Sequence, residues 1–156
     1  MERIVNNKII VALDYSDIKQ ALSLSEKLDP TYCRLKVGKQ LFTKYGPSIV
    51  SDLQKNNFDI FLDLKFHDIP TTVYKACVEA YNLGVWMLNI HLLGGYEMAI
   101  AAKEARDKVN KEAKIIGVTL LTSHSNDSMS HLGMQSRDDV VKGLSMIASK
   151  AEIDGV

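Results

Sequence analysis

The chain has 156 residues, enough for one domain with a real core. Lys plus Arg and Asp plus Glu number 19 each, so the formal net charge is zero. No excess of cations is available to neutralise phosphates, which argues against a nucleic-acid or anionic-membrane surface. No apolar run approaches the ~20 residues of a membrane span. The start, Met1 to Lys8, lacks the apolar core of a secretory leader, so the chain reads as cytoplasmic. Cys33 and Cys77 fall inside apolar segments and read as buried free thiols.

Five short apolar runs read as strands: Ile9 to Leu13, Cys33 to Val37, Ile60 to Leu64, Val85 to Ile90 and Ile115 to Leu120. Most are near-continuously hydrophobic, the mark of parallel strands covered on both faces. Amphipathic segments lie between them. Asp17 to Leu28 starts at a Ser16/Asp17 cap and stops before Pro30. Lys39 to Asn56 reads as two helices broken at Gly46-Pro47. Thr71 to Leu83 follows Pro70 and ends at Gly84, a capping residue. Tyr96 to Asn110 and Asp138 to Lys150 complete the set, and Ser125 to Gly133 is a polar loop or short helix.

This βα alternation leaves a doubly wound sheet or a (β/α)8 barrel. No G-x-G-x-x-G follows the first strand, so a dinucleotide-binding sheet lacks its fingerprint. Polar residues end strand after strand: Asp14, Lys36, Asp63 with Lys65, His91, then Thr122 and Ser123. That pattern suits a barrel, whose active site gathers at the C-terminal ends of its strands. The expected fold is therefore a TIM (β/α)8 barrel, as a single domain over residues 1–156. Only about the first five βα units are present. Ile153 to Val156 reads as the start of strand six, and the barrel is expected to be truncated at its C-terminus.

The segment Asp63-Leu64-Lys65-Phe66-His67-Asp68 carries the chemistry. Residues two apart in a strand share a face, so Asp63 and Lys65 project together, with Asp68 just beyond. Alternating charges at the mouth of an apolar strand are costly to bury and add nothing to a core. Lys36, inside the neighbouring apolar strand, supplies a second cation that needs these carboxylates. Asp63 and Asp68 could in principle hold a divalent metal. The intervening lysine neutralises them and argues against one. A lysine held between carboxylates is favoured in its charged form and is poised to donate a proton. Asp14 is either a helix cap or an acceptor for substrate hydroxyls. His67 is expected to face away from the site. His91 either supports the site from behind or packs in the core. Gly94-Gly95 reads as a tight turn, Trp86 and the methionines as packing, and His124 and His131 as solvated.

These segments resemble a known family. Val11-Ala12-Leu13-Asp14, Leu35-Lys36-Val37-Gly38, Asp63 to Val73 with its D-x-K-x-x-D-I-P-x-T-V pattern, and Gly117 to Ser123 together resemble orotidine 5′-phosphate decarboxylase. The match covers the whole chain as an N-terminal portion. The resemblance implies decarboxylation of orotidine 5′-monophosphate to uridine 5′-monophosphate in de novo pyrimidine biosynthesis, with no metal and no organic cofactor. It implies that Lys36, Asp63, Lys65 and Asp68 form an alternating Lys-Asp-Lys-Asp network in which Lys65 protonates the C6 carbanion. Asp14 and Lys36 would contact the ribose side of the nucleotide. Asp68 and Thr72 would reach the partner's active site in a homodimer. Thr122 and Ser123 would lie near the pyrimidine, with Thr122 the better placed.

The resemblance also implies that later strands and loops hold the phosphate. A 156-residue polypeptide ending before them is expected to have little or no activity. The alternatives are a Mg2+-dependent sugar-phosphate decarboxylase or aldolase of the same superfamily, and a non-catalytic barrel fragment. Those metal-dependent relatives resemble this chain in D-x-K-x-x-D but carry a glutamate where this chain has Lys36.

Overall fold

The computed structural model describes residues 8–134 and 136–156, and the reading of Met1 to Asn7 as free of a leader concerns residues outside that range. Five strands, β1 (Ile9–Ala12), β2 (Cys33–Gly38), β3 (Ile60–Phe66), β4 (Met87–His91) and β5 (Lys114–Val118), form one sheet in the order β1-β2-β3-β4-β5. Every neighbouring pair is parallel. Each strand lies beside the next one in sequence, with no reversal of order. A doubly wound sheet needs such a reversal at its switch point, whereas a barrel adds strands in sequence. The segment after β5 continues the series. Asp154 N–H donates to Ile115 O at 2.9 Å and Gly117 N–H to Gly155 O at 2.9 Å, so Gly155 bridges Ile116 in parallel.

Seven helices are described: α1 (Ile18–Ser25), α2 (Lys39–Tyr45), α3 (Ser48–Gln54), α4 (Pro70–Asn82), α5 (Gly95–Val109), α6 (Asn126–His131) and α7 (Arg137–Lys150). Their limits follow local chemistry. The Asp17 side chain accepts from Lys19 N at the start of α1, Pro70 opens α4, and the break at Gly46-Pro47 separates α2 from α3. Gly84, at φ 75°, closes the turn after α4 in the left-handed region where glycine carries no penalty. Among the described residues no helix is long and apolar enough to cross a membrane.

Alternation along the strands sorts side chains between two layers. On β2, Cys33, Leu35 and Val37 are buried against the helices, while Arg34 and Lys36 face the other way. On β4, Leu88 and Ile90 join the helix-facing core, and Met87, Asn89 and His91 lie on the inner face. Both cysteines are buried free thiols, as their apolar surroundings imply.

Several strand readings change: β3 runs on to Phe66, two residues past Leu64, and β4 starts at Met87 rather than Val85. The first strand is not covered on both faces: Ile9 is 61% and Ile10 38% exposed, because β1 is an edge paired only with β2 among the described residues. The fifth strand ends at Val118 rather than Leu120. His91↔Val118 is the last β4–β5 pair, since the chain after His91 tightens into a 3-10 turn over Leu92–Gly94 and offers no further ladder partner. Ser125 to Gly133 contains the short helix α6.

One close approach carries a test. A Cβ at Gly117 would fall 2.5 Å from Leu92 Cδ1, and Leu92 is fully buried. Gly117→Ala is expected to cost about 1–3 kcal/mol through overpacking. It should be read as a lowered denaturation midpoint with an unchanged slope on denaturant.

Candidate active site

The inner face of β2 and β3 carries a chain of opposite charges. Lys36 Nζ donates to Asp63 Oδ2 at 3.2 Å and reaches Asp14 Oδ1 at 3.5 Å. The Lys65 ammonium donates to Asp63 Oδ1. Asp14, Lys36, Asp63 and Lys65 thus form one line of two anions and two cations. Asp63 is its centre and its least exposed member, at 12% side-chain exposure against 72% for Asp14 at the rim. The Gly38↔Asp63 register of β2 and β3 places Lys36 one step below the carboxylate it serves.

Lys65 does not reach Asp63 by simple strand alternation, as the sequence alone suggests. The β3–β4 register pairs Leu62 with Leu88 and Phe66 with Ile90, so β3 bulges across Asp63, Leu64 and Lys65. Lys65 sits at φ 53°, left-handed and uncommon for a residue with a side chain. Bulges of this kind re-aim side chains beside functional sites. The residue opposite the bulge is Asn89, only 3% exposed, whose Nδ2 donates to Asp63 Oδ1 at 2.7 Å. Sequence reasoning passed over Asn89 by reading only strand ends. The available signal was Asn89 two residues before His91 on an otherwise apolar strand, which puts both on one face.

Burial by itself raises the Asp63 carboxyl, but hydrogen bonds from Lys65, Asn89 and Lys36 outweigh it and hold the group below the ordinary carboxylate value. His91 is 6% exposed and stacks on His67 with ring centroids 5.4 Å apart. Its Nδ1 accepts weakly from Leu93 N at 3.4 Å. Burial, then the charges of His67, His124, Lys39 and Lys65, lowers its pKa and favours the neutral ring. His67 is exposed, yet lies against His91 beside the site.

The remaining expected residues stand apart from the charged line. Asp68 is exposed on the loop after β3, its Oδ1 accepting from Ile69 N at 2.7 Å. Thr72 is exposed in the first turn of α4. Thr122 and Ser123 are exposed on the loop between β5 and α6, beyond the end of the strand. Among the described residues no group of three or more His, Cys, Asp or Glu is arranged to hold a metal ion.

Asp63 should titrate below its ordinary 3.8. Its contribution to stability is then complete above the unfolded value and lost as pH falls through the lowered folded one. Lys36→Ala removes one opposing charge, so the Asp63 carboxyl, followed by 13C NMR, should titrate at higher pH than in the parent. Stability should also decline earlier on acidification.

The family described as Orotidine 5'-phosphate decarboxylase / HUMPS matches residues 7–156. The chain is 49% identical over 152 residues to an orotidine 5'-phosphate decarboxylase of Nitrosomonas eutropha, covering 97% of this chain and 65% of that protein. It is 51% identical over 151 residues to the Nitrosococcus oceani enzyme, covering 96% of this chain and 65% of the relative. The chain therefore spans about two-thirds of the length of these curated relatives, 65% of each. Among solved structures it is similar to orotidine 5'-phosphate decarboxylase from Lactobacillus acidophilus, with TM-score 0.87 and 35% identity over 95% of this chain and 69% of that one. The Methanocaldococcus jannaschii enzyme complexed with inhibitor BMP gives TM-score 0.78 and 26% identity, over 95% of this chain and 65% of that one. In-order parallel strands, the charged line at their C-terminal ends and these matches agree: this chain belongs to the orotidine 5′-phosphate decarboxylase / HUMPS family.

Proposed function

We propose that the protein carrying this chain decarboxylates orotidine 5′-monophosphate to uridine 5′-monophosphate, in the cytoplasm and without a metal or organic cofactor. The observation that carries the reading is the line Lys36–Asp63–Lys65, with both Asp63 oxygens held by ammonium groups. The C6–carboxylate bond breaks, CO2 leaves, and the electron pair stays on C6. The Lys65 ammonium lies beside that carbon, stabilises the developing charge and transfers its proton to C6, to be reprotonated from water. Asp63 faces the departing carboxylate. Two like charges 4 Å apart repel by roughly 4 kcal/mol at an effective dielectric of ~20. Lys36 and Asp14 take the ribose hydroxyls, and Thr122 with Ser123 approaches the pyrimidine.

The homodimer belongs to the same reading. Asp68 and Thr72 bracket the segment Ile69-Pro70-Thr71, whose Ile69 is 66% exposed, on a surface that a second copy would cover. They would complete the partner's site with a further carboxylate beside Lys65. The Mg2+-dependent alternative of the same superfamily is disfavoured by charge. Lys36 places a cation against the carboxylate that a divalent ion would need.

The test is decarboxylation of orotidine 5′-monophosphate by the protein expressed from its own gene, with a chelator present and the intact mass recorded on the same sample. Turnover is expected, and Lys65→Ala should lower it by about 10²–10⁴-fold or more. An absolute need for Mg2+, or full turnover in Lys65→Ala, would overturn the reading. A second test concerns the dimer. Asp68→Ala should lower turnover in a protein that still sediments as two copies, and mixing it with Lys65→Ala should restore activity through hybrid sites.

A further inference from the structure

The bulge in β3 leaves Lys65 in a conformation that needs an explanation from outside its own strand. Between Leu62 and Phe66 the register with β4 is lost, and Lys65 adopts φ 53°. A left-handed lysine is sparsely populated and persists only where its surroundings over-determine it. Its amide is turned out of the ladder and donates to a side chain instead: Lys65 N to Asn89 Oδ1, 2.8 Å. The same amide group's Nδ2 donates to Asp63 Oδ1 at 2.7 Å, the oxygen that also takes the Lys65 ammonium. Only one orientation of the Asn89 amide satisfies both neighbours, because a carboxylate needs a donor and a backbone N–H needs an acceptor.

We propose that Asn89 is a positioning residue of the active site: its side chain replaces the missing ladder acceptor for Lys65 and fixes the Asp63 carboxylate against the Lys65 ammonium. The inference rests on the decarboxylase reading for its kinetic consequence and on geometry alone for its structural one. Asn89 is buried on the inner face and cannot be a rim contact for solvent. Asparagine is the residue that fits. It carries a donor and an acceptor on one short rigid plane, so a single side chain can hold a backbone amide and a carboxylate together. Leucine has the volume but neither group. Aspartate keeps an acceptor.

The experiment compares Asn89→Leu, Asn89→Ala and Asn89→Asp with the parent by steady-state kinetics with orotidine 5′-monophosphate and by amide hydrogen exchange at Lys65. Loss of placement of a reacting group by about 1 Å can cost on the order of 10²-fold. Asn89→Leu and Asn89→Ala are therefore expected to lower kcat by about 10–100-fold, with KM moved much less. The Lys65 amide should exchange at least about tenfold faster in both. Asn89→Asp should restore protection of that amide, a recovery that a purely space-filling role does not produce. Unchanged kcat in a folded Asn89→Leu, or unchanged exchange at Lys65 in both Asn89→Leu and Asn89→Ala, would overturn the proposal. If the parent itself shows no turnover, the decarboxylase reading fails. The exchange comparison still decides whether Asn89 holds the Lys65 backbone.

Discussion

Everything at the mouth of this sheet depends on one carboxylate that is desolvated and fully subscribed. Asp63 accepts from Lys36 on one oxygen and from Lys65 and Asn89 on the other. These partners come from three adjacent strands, so the carboxylate ties β2, β3 and β4 together at their C-terminal ends. Leaving such a group without partners would cost more than any of its hydrogen bonds contributes. The arrangement is therefore all or nothing. Once Asp63 is placed inward by the pleat of β3, the two lysines are required, and their positions are set by its two oxygens.

The same constraint explains why the strand is irregular where it matters. A regular β3 would keep Lys65 in the ladder with β4. Instead the strand bulges, the lysine turns left-handed, and its ammonium comes back onto Asp63. Strain at Lys65 is tolerated because the neighbouring strand supplies an acceptor for its amide, Asn89 Oδ1. Of the histidine pair beside it, His91 is buried and His67 is exposed. His91 is kept neutral by burial and by the cations near it, so it adds no charge to a line that already balances.

Much of this was legible in the residues. The apolar runs at Cys33 to Val37 and Ile60 to Leu64 identified β2 and β3, and the Gly46-Pro47 break divided α2 from α3 as expected. Polar residues at successive strand ends pointed to a barrel mouth, and the in-order sheet agrees. Lys36 needed a carboxylate and found the one proposed. Other features were not legible. A uniformly apolar Ile9 to Leu13 looks like a buried strand whether or not a neighbour covers its far side. The extension of the fifth strand to Leu120 failed because a strand ends where its partner does, which is information held in β4 and not in Thr119 or Leu120. Asn89 escaped because a polar residue inside an apolar run carries no label for which neighbour it will meet.

Periodicity and residue type alone therefore determined the βα order, most helix limits and the inward charges Lys36 and Asp63, because these are properties of short stretches: a two-residue pleat, a cap, a proline. The tertiary structure decided the edge at β1, the bulge at Lys65, the placement of Asn89 opposite it and the pairing of His67 with His91. Each of these depends on which groups from distant parts of the chain arrive within hydrogen-bonding or stacking distance. Register between strands sets that, and register is fixed only when the whole sheet is assembled.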